Sequence, residues 1–129
     1  MAVTEHLPVL ISPVQVSSLL SQLGKTGFPQ QLLQIIRSKV VCDSIVLLLY
    51  RKGDSPTIIH DEMSPRDRHA LKNAYFDEAY LLSPFYLSWL SGVQTSLLHL
   101  KAITPEGFFD SVYYTDYYAR SGLIDELGY

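Results

Sequence analysis

The sequence predicts an α+β fold, in which several helices pack on one short antiparallel sheet, a hairpin at about residues 44–61. Three observations carry that expectation. Polar residues followed by proline mark repeated helix starts. Ser44–Arg51, SIVLLLYR, is a continuous apolar run too short for a helix and followed by turn residues. The last third, Ser111–Tyr129, carries its aromatic residues at helical spacing.

Ser12-Pro13-Val14-Gln15 reads as a capping box with Ser12 at N-cap, Pro13 at N1 and Gln15 at N3. Ahead of it, Met1–Ile11 reads as an extended lead-in. Val16, Leu19, Leu20 and Leu23 continue the helical stripe, and Gly24 ends it. Gly24-Lys25-Thr26 lacks the upstream glycine of a phosphate loop, because that position is Leu19. Phe28-Pro29 opens a second helix with Leu32, Leu33, Ile36 and Val40 as its inner face. The apolar run 44–51 reads as a buried strand, Lys52-Gly53-Asp54-Ser55 as a turn, and Thr57–His60 as the returning strand.

Ser64-Pro65-Arg66-Asp67 starts a third helix. Its face runs through Leu71, Ala74, Tyr75, Ala79 and Leu82, broken only by Glu78. Ser83-Pro84 restarts the chain as a helix carrying Phe85, Tyr86, Trp89 and Leu90 to Gly92. Val93–Ile103 alternates weakly and fits a short strand or an extended crossing. Thr104-Pro105-Glu106 caps the approach to Phe108 and Phe109. Tyr113, Tyr114, Tyr117 and Tyr118 then form two i, i+4 aromatic pairs, with Ser111 or Asp110 as cap and Gly122 as the stop.

Length bounds this chain of 129 residues to one domain, and its composition is 47% hydrophobic and only 18% charged. A net charge of −3 argues against a nucleic-acid surface. A single cysteine, Cys42, excludes an internal disulfide framework and suits a reducing cytoplasm. No apolar run is long enough to cross a bilayer, and no signal peptide is legible. A soluble cytoplasmic protein is expected.

Two runs resemble motifs of one family. Tyr113-Tyr114-x-x-Tyr117-Tyr118-x-x-x-Gly122-Leu123-x-Asp125-Glu126-x-Gly128 is similar to a motif of the N-terminal sensor domain of bacterial LuxR-type helix-turn-helix regulators. Tyr80-Leu81-Leu82-Ser83-Pro84-Phe85-Tyr86 resembles a second, usually written YLLDPFY, with Ser83 in place of the aspartate. Both serine and aspartate cap helices, but the replacement removes a charge. The resemblance spans roughly residues 28–129. It implies a partial GAF/PAS-like sensor domain lacking its C-terminal strands and the helix-turn-helix, so that the chain reads as a truncated N-terminal piece. Half a sheet leaves an unpaired edge, and a homodimer or higher homo-oligomer is expected from it.

Catalytic and metal chemistry find little support. His6, His60, His69 and His99 show no ligand spacing, and His60-Asp61-Glu62 lies on a strand whose successive side chains alternate faces. Cys42 reads as a structural thiol. Asp125 and Glu126 are adjacent and accompany no nucleophile, so no enzyme and no cofactor is expected. The aromatic group is the candidate site: Tyr80, Phe85, Tyr86, Trp89, Tyr113, Tyr114 and Tyr117. Burial alone explains large rings, at about 1.5–3 kcal/mol each. A small-molecule pocket explains why so many of them carry a hydroxyl, since each buried O–H needs a partner. Both readings stay open on sequence, as does a third in which the same helices form a ligand-free dimer interface.

Overall fold

The computed structural model describes residues 11–129. The extended lead-in expected for the N-terminus therefore lies outside the described residues, apart from Ile11. The chain divides into two compact units. The first runs to Leu48 and adds Ile58–Met63, and the second comprises Leu49–Thr57 and Ser64–Tyr129.

In the first unit, helix α1 spans Pro13–Leu20 and begins with the predicted capping box. The Gln15 amide donates to Ser12 Oγ at 3.2 Å, and the Ser12 amide donates to Gln15 Oε1 at 3.0 Å. Its apolar stripe is not core: Val16, Leu20 and Leu23 are 41%, 56% and 58% exposed. Helix α2, Phe28–Lys39, packs on α1 and starts at the predicted proline. Its buried residues are Leu33 and Ile35, whereas Ile36 and Val40 are exposed, so the inner face is rotated from the expected one. Ile35, Ile36 and Val40 instead border an apolar groove of about 270 Å³ together with Ile11 and Lys39. Strands β1, Ile45–Leu49, and β2, Thr57–Glu62, pair in a two-stranded sheet, as the hairpin pattern predicts. β1 is half-buried along its length rather than fully buried.

The second unit contains the turn after β1, where the Asp54 amide donates to the Arg51 carbonyl at 3.2 Å. Helix α3, Pro65–Ala70, is capped by Ser64, whose Oγ accepts from the Asp67 amide at 3.1 Å. The single helix expected through Leu82 does not form. The chain widens into a π-helical turn at Leu71–Tyr75, loosens, and closes again as a 3₁₀ turn at Ala79–Leu82. Helix α4, Pro84–Leu90, follows and ends before Gly92. Strand β3 is Leu98–His99, and the short helix α5 is Leu100–Ile103. A 3₁₀ turn at Phe108–Asp110 leads to a second π-helical turn, Tyr113–Tyr118, and then to helix α6, Ala119–Ser121. Strand β4, Leu127–Gly128, pairs antiparallel with β3, Leu98 opposite Gly128 and His99 opposite Leu127. This second sheet brings the glycine-flanked acidic motif back onto the middle of the chain, a strand pairing the periodicity of residues 123–129 does not announce.

The buried interior of this unit is mostly tyrosine: Tyr75, Tyr80, Tyr86, Tyr113, Tyr117 and Tyr118, with Leu71, Leu100 and Phe108. Among the described residues no helix is long and apolar enough to cross a membrane. The α+β class holds, with two small sheets in place of one.

Candidate functional site

The site is built by the two π-helical turns. An α-helix aligns residues four apart, and a π-turn widens the coil so that residue i also meets i+5. Tyr113 accordingly lies 5.2 Å from Tyr117 and 6.3 Å from Tyr118, ring centre to ring centre. Tyr114 stacks on Tyr118 at 5.9 Å. Ser111 starts this segment as predicted, its Oγ accepting from the Tyr114 amide at 3.2 Å. The other π-turn delivers Tyr75, whose ring is 5.5 Å from Tyr117. Both π-helical turns therefore place a tyrosine at the same spot.

From there the rings continue. Tyr75 meets Tyr80 at 6.3 Å, and Tyr80 meets Tyr86 edge-on at 5.1 Å. Tyr86, Trp89 and Tyr50 form a triad with separations of 5.3, 5.4 and 5.6 Å. Of the seven predicted residues, Tyr80, Tyr86, Trp89, Tyr113, Tyr114 and Tyr117 thus belong to one continuous ring network, Tyr114 through Tyr118. Tyr114 lies toward Phe109, 5.0 Å away. Phe85 leaves the network and packs against Gly128.

Polar groups are gathered inside these rings. The Tyr50 and Tyr75 hydroxyls are hydrogen-bonded at 3.1 Å. Tyr75 and Tyr113 each bring a hydroxyl within hydrogen-bonding range of the Ser83 side chain. Ser83 is 1% exposed, and its hydroxyl makes no cap bond to α4. Ser83 is the N-cap residue of α4, its carbonyl accepting from the Leu87 amide at 2.9 Å, but its side chain faces two phenols instead of capping the helix. Burial holds the phenols of Tyr50, Tyr75, Tyr113 and Tyr117 above their ordinary range, so all four stay protonated at neutral pH.

The two carboxylates of the tail part company. Asp125 is at the surface, 2.7 Å from His99 Nε2 and 3.7 Å from Lys101 Nζ, and the bond from His99 holds its carboxyl below the usual range. Glu126 is half-buried. Burial, and secondarily the neighbouring Asp125, push its carboxyl up to about 7. Its field reaches Tyr50, Tyr113, Tyr117 and Tyr118. Its backbone is pinned, the carbonyl accepting from the Leu100 amide at 3.0 Å.

Tyr50, Tyr75, Ser83 and Glu126 were not legible as site residues, because they come from separate parts of the chain and only the fold assembles them. The one available signal was Ser83, a small polar residue inside an otherwise apolar motif. Chemically, the assembly offers hydroxyl donors, a carboxylate and ring faces.

The chain is similar to a solved ligand-binding domain. The crystal structure of the VqsR LBD domain from Pseudomonas aeruginosa matches it with a TM-score of 0.69 at 27% sequence identity, over 88% of this chain and 67% of that one. No family model matches the chain, and no curated protein matches it. The structural likeness supports a sensing regulatory domain, in agreement with what the two sequence motifs imply.

Proposed function

We propose that this chain is the signal-receiving domain of a LuxR-type transcriptional regulator, and that the tyrosine–serine nest of the second unit is where its effector is recognised. The observation that carries this reading is the convergence of Tyr50, Tyr75, Ser83 and Tyr113 on one another inside a shell of rings. A dry core has no need of four hydroxyls in one place, since each costs desolvation that only a partner offsets. A binding site needs a few placed polar groups in an apolar surround. The likeness to the VqsR ligand-binding domain supports the reading. The finer fold assignment we favour is GAF/PAS-like, the protein is cytoplasmic, and the domain does no catalysis.

Signalling by such a domain requires an effector that binds one of two shapes better than the other. The π-helical turns at Leu71–Tyr75 and Tyr113–Tyr118 fit that role, since such widened turns occur frequently at functional sites. A thermal-shift screen of metabolites and acyl-lactones tests the proposal. Stabilisation by at least one compound, abolished by Trp89→Ala, is the expected result. No stabilisation by any compound, in a full-length regulator that still controls its genes, removes the effector.

A second reading rests on a separate observation. The first unit exposes Val14, Leu20, Leu23 and Val41, at 78%, 56%, 58% and 105%. We propose self-association through these side chains, since large exposed apolar patches mark interaction sites. Sedimentation at tens of micromolar decides: a monodisperse monomer rejects it.

A further inference from the structure

The segment that lines the nest also presents a face to solvent. Tyr113, Tyr117 and Tyr118 are buried, whereas Thr115 and Asp116 are exposed and Tyr114 is half-buried. Just upstream, Phe109 and Val112 are 59% and 64% exposed. Phe109 is nevertheless held in place. Its ring meets Tyr114 edge-on at 5.0 Å and lies 5.5 Å from the buried Phe108. Tyr114 in turn stacks on the buried Tyr118. The backbone beneath is a tight turn. The Phe108 amide donates to the Pro105 carbonyl at 3.1 Å, and the Asp110 amide donates to the Gly107 carbonyl at 3.0 Å. Large rings fixed by their neighbours yet left in water are a feature of interaction surfaces, because little entropy is lost when a partner covers them.

The charges around these rings have one sign. From residue 102 to residue 119 the chain holds Glu106, Asp110 and Asp116 and no lysine, arginine or histidine. All three carboxylates are exposed. Among the described residues none of them forms an ion pair, not even Asp116 with Arg120 one turn further on. The turn keeps Glu106 and Asp110 beside Phe109 in the chain, and Asp116 follows Val112 by four residues, the spacing of neighbours on a helical surface. An acidic partner is repelled here, and a purely apolar one leaves the carboxylates uncompensated. Arginine answers both features, since its planar guanidinium stacks on aromatic faces and pairs with carboxylates.

We propose that Phe109, Val112 and Tyr114, rimmed by Glu106, Asp110 and Asp116, form a docking surface for an arginine-rich segment of a partner protein. The guanidinium groups lie on the rings and against the carboxylates, and apolar side chains between them cover Phe109 and Val112. The surface is independent of whether the nest receives an effector.

Fluorescence anisotropy tests this with the full chain and two labelled peptides. One alternates arginine with leucine and phenylalanine, and the other carries glutamate in place of arginine. The arginine peptide is expected to bind and the glutamate peptide to stay free, with affinity falling several-fold as salt is raised. Phe109→Ser is expected to weaken the arginine peptide several-fold. Val112→Ser does the same and stands in for it if loss of the Phe109 ring unfolds the protein. Asp110→Asn with Asp116→Asn is expected to weaken binding several-fold. Asp77→Asn with Glu78→Gln, which removes equal charge at exposed positions elsewhere, is expected to leave it unchanged. Equal weakening by the two charge pairs reduces the binding to net-charge attraction and overturns the proposal. So does binding indifferent to both Phe109→Ser and Val112→Ser, or failure of the arginine peptide to bind. Loss of self-association in Phe109→Ser, with no peptide bound by the parent, overturns it by assigning the face to a second copy.

Discussion

The ring of Phe85 lies so close to Gly128 that a Cβ on that glycine would stand 2.6 Å from two ring carbons. This contact ties the two motif segments together. One contributes α4 through Ser83-Pro84-Phe85, and the other contributes β4. Gly128 is thus required by a neighbour, and Phe85 serves as a packing post rather than a pocket wall. Gly128→Ala is expected to destabilise the protein by about 1–3 kcal/mol, the usual cost of an overpacked contact. Phe85→Leu should recover part of that loss in the double variant. Urea denaturation of the four proteins in the cycle measures the coupling, and purely additive effects reject the contact.

Gly122 has a different reason to be glycine. Its φ is +80°, and an added Cβ would meet the Arg66 guanidinium at 3.2 Å. The left-handed backbone is the larger constraint, because the arginine end is flexible. Gly122→Ala is expected to cost about 1 kcal/mol, whereas Gly122→Asn costs less because asparagine tolerates that region. Thermal unfolding of the pair checks the order.

Ser83 yields a prediction through its two phenols. Ser83→Ala leaves buried hydroxyls short of a partner and is expected to cost about 1–3 kcal/mol. Ser83→Asp restores the residue more usual in the motif, but places a carboxylate where the serine is 1% exposed. That variant should be least stable at high pH, where the aspartate must ionise in a buried site. Chemical denaturation at two pH values separates the substitutions.

Glu126 sets a pH dependence of known sign. Its carboxyl titrates near 4.5 when unfolded and at about 7 when folded. Between those values the folded state holds the extra proton, so stability is highest below pH 4.5 and declines as the pH rises to 7. The most this group alone can contribute is on the order of 3 kcal/mol. Glu126→Gln should flatten that decline and leave the variant more stable than the parent at pH 8. Unfolding free energy measured from pH 5 to 8 tests it, and a parent curve that rises over that range contradicts a raised Glu126 carboxyl.

The legible parts of the chain were those governed by neighbours in sequence. Ser12 and Ser64 cap where their spacing to Gln15 and Asp67 says they should, and Phe28 and Pro84 open their helices. The hairpin at β1 and β2 follows from one apolar run and one turn. Local pattern fails where tertiary packing decides. Leu71–Leu82 keeps helical spacing, yet the chain leaves the α-helix to bring Tyr75 beside Tyr117. The inner face of α2 includes Ile35 rather than Ile36, because a surface groove and a core both favour apolar residues. The pairing of β4 with β3 involves two residues on each side, too few for a period to show. The site was half legible: the ring walls follow from aromatic content, while Tyr50, Tyr75, Ser83 and Glu126 meet only in space.

The central claim is that the nest is a receiving site and not merely a core. Its most direct test is amide and side-chain NMR of the chain during addition of the best compound from the thermal screen. The account predicts shifts concentrated at Tyr75, Ser83, Trp89, Tyr113 and Glu126, with the first unit unchanged. Shifts confined to the groove lined by Ile11, Ile35, Ile36, Lys39 and Val40, with the tyrosines silent, would contradict it.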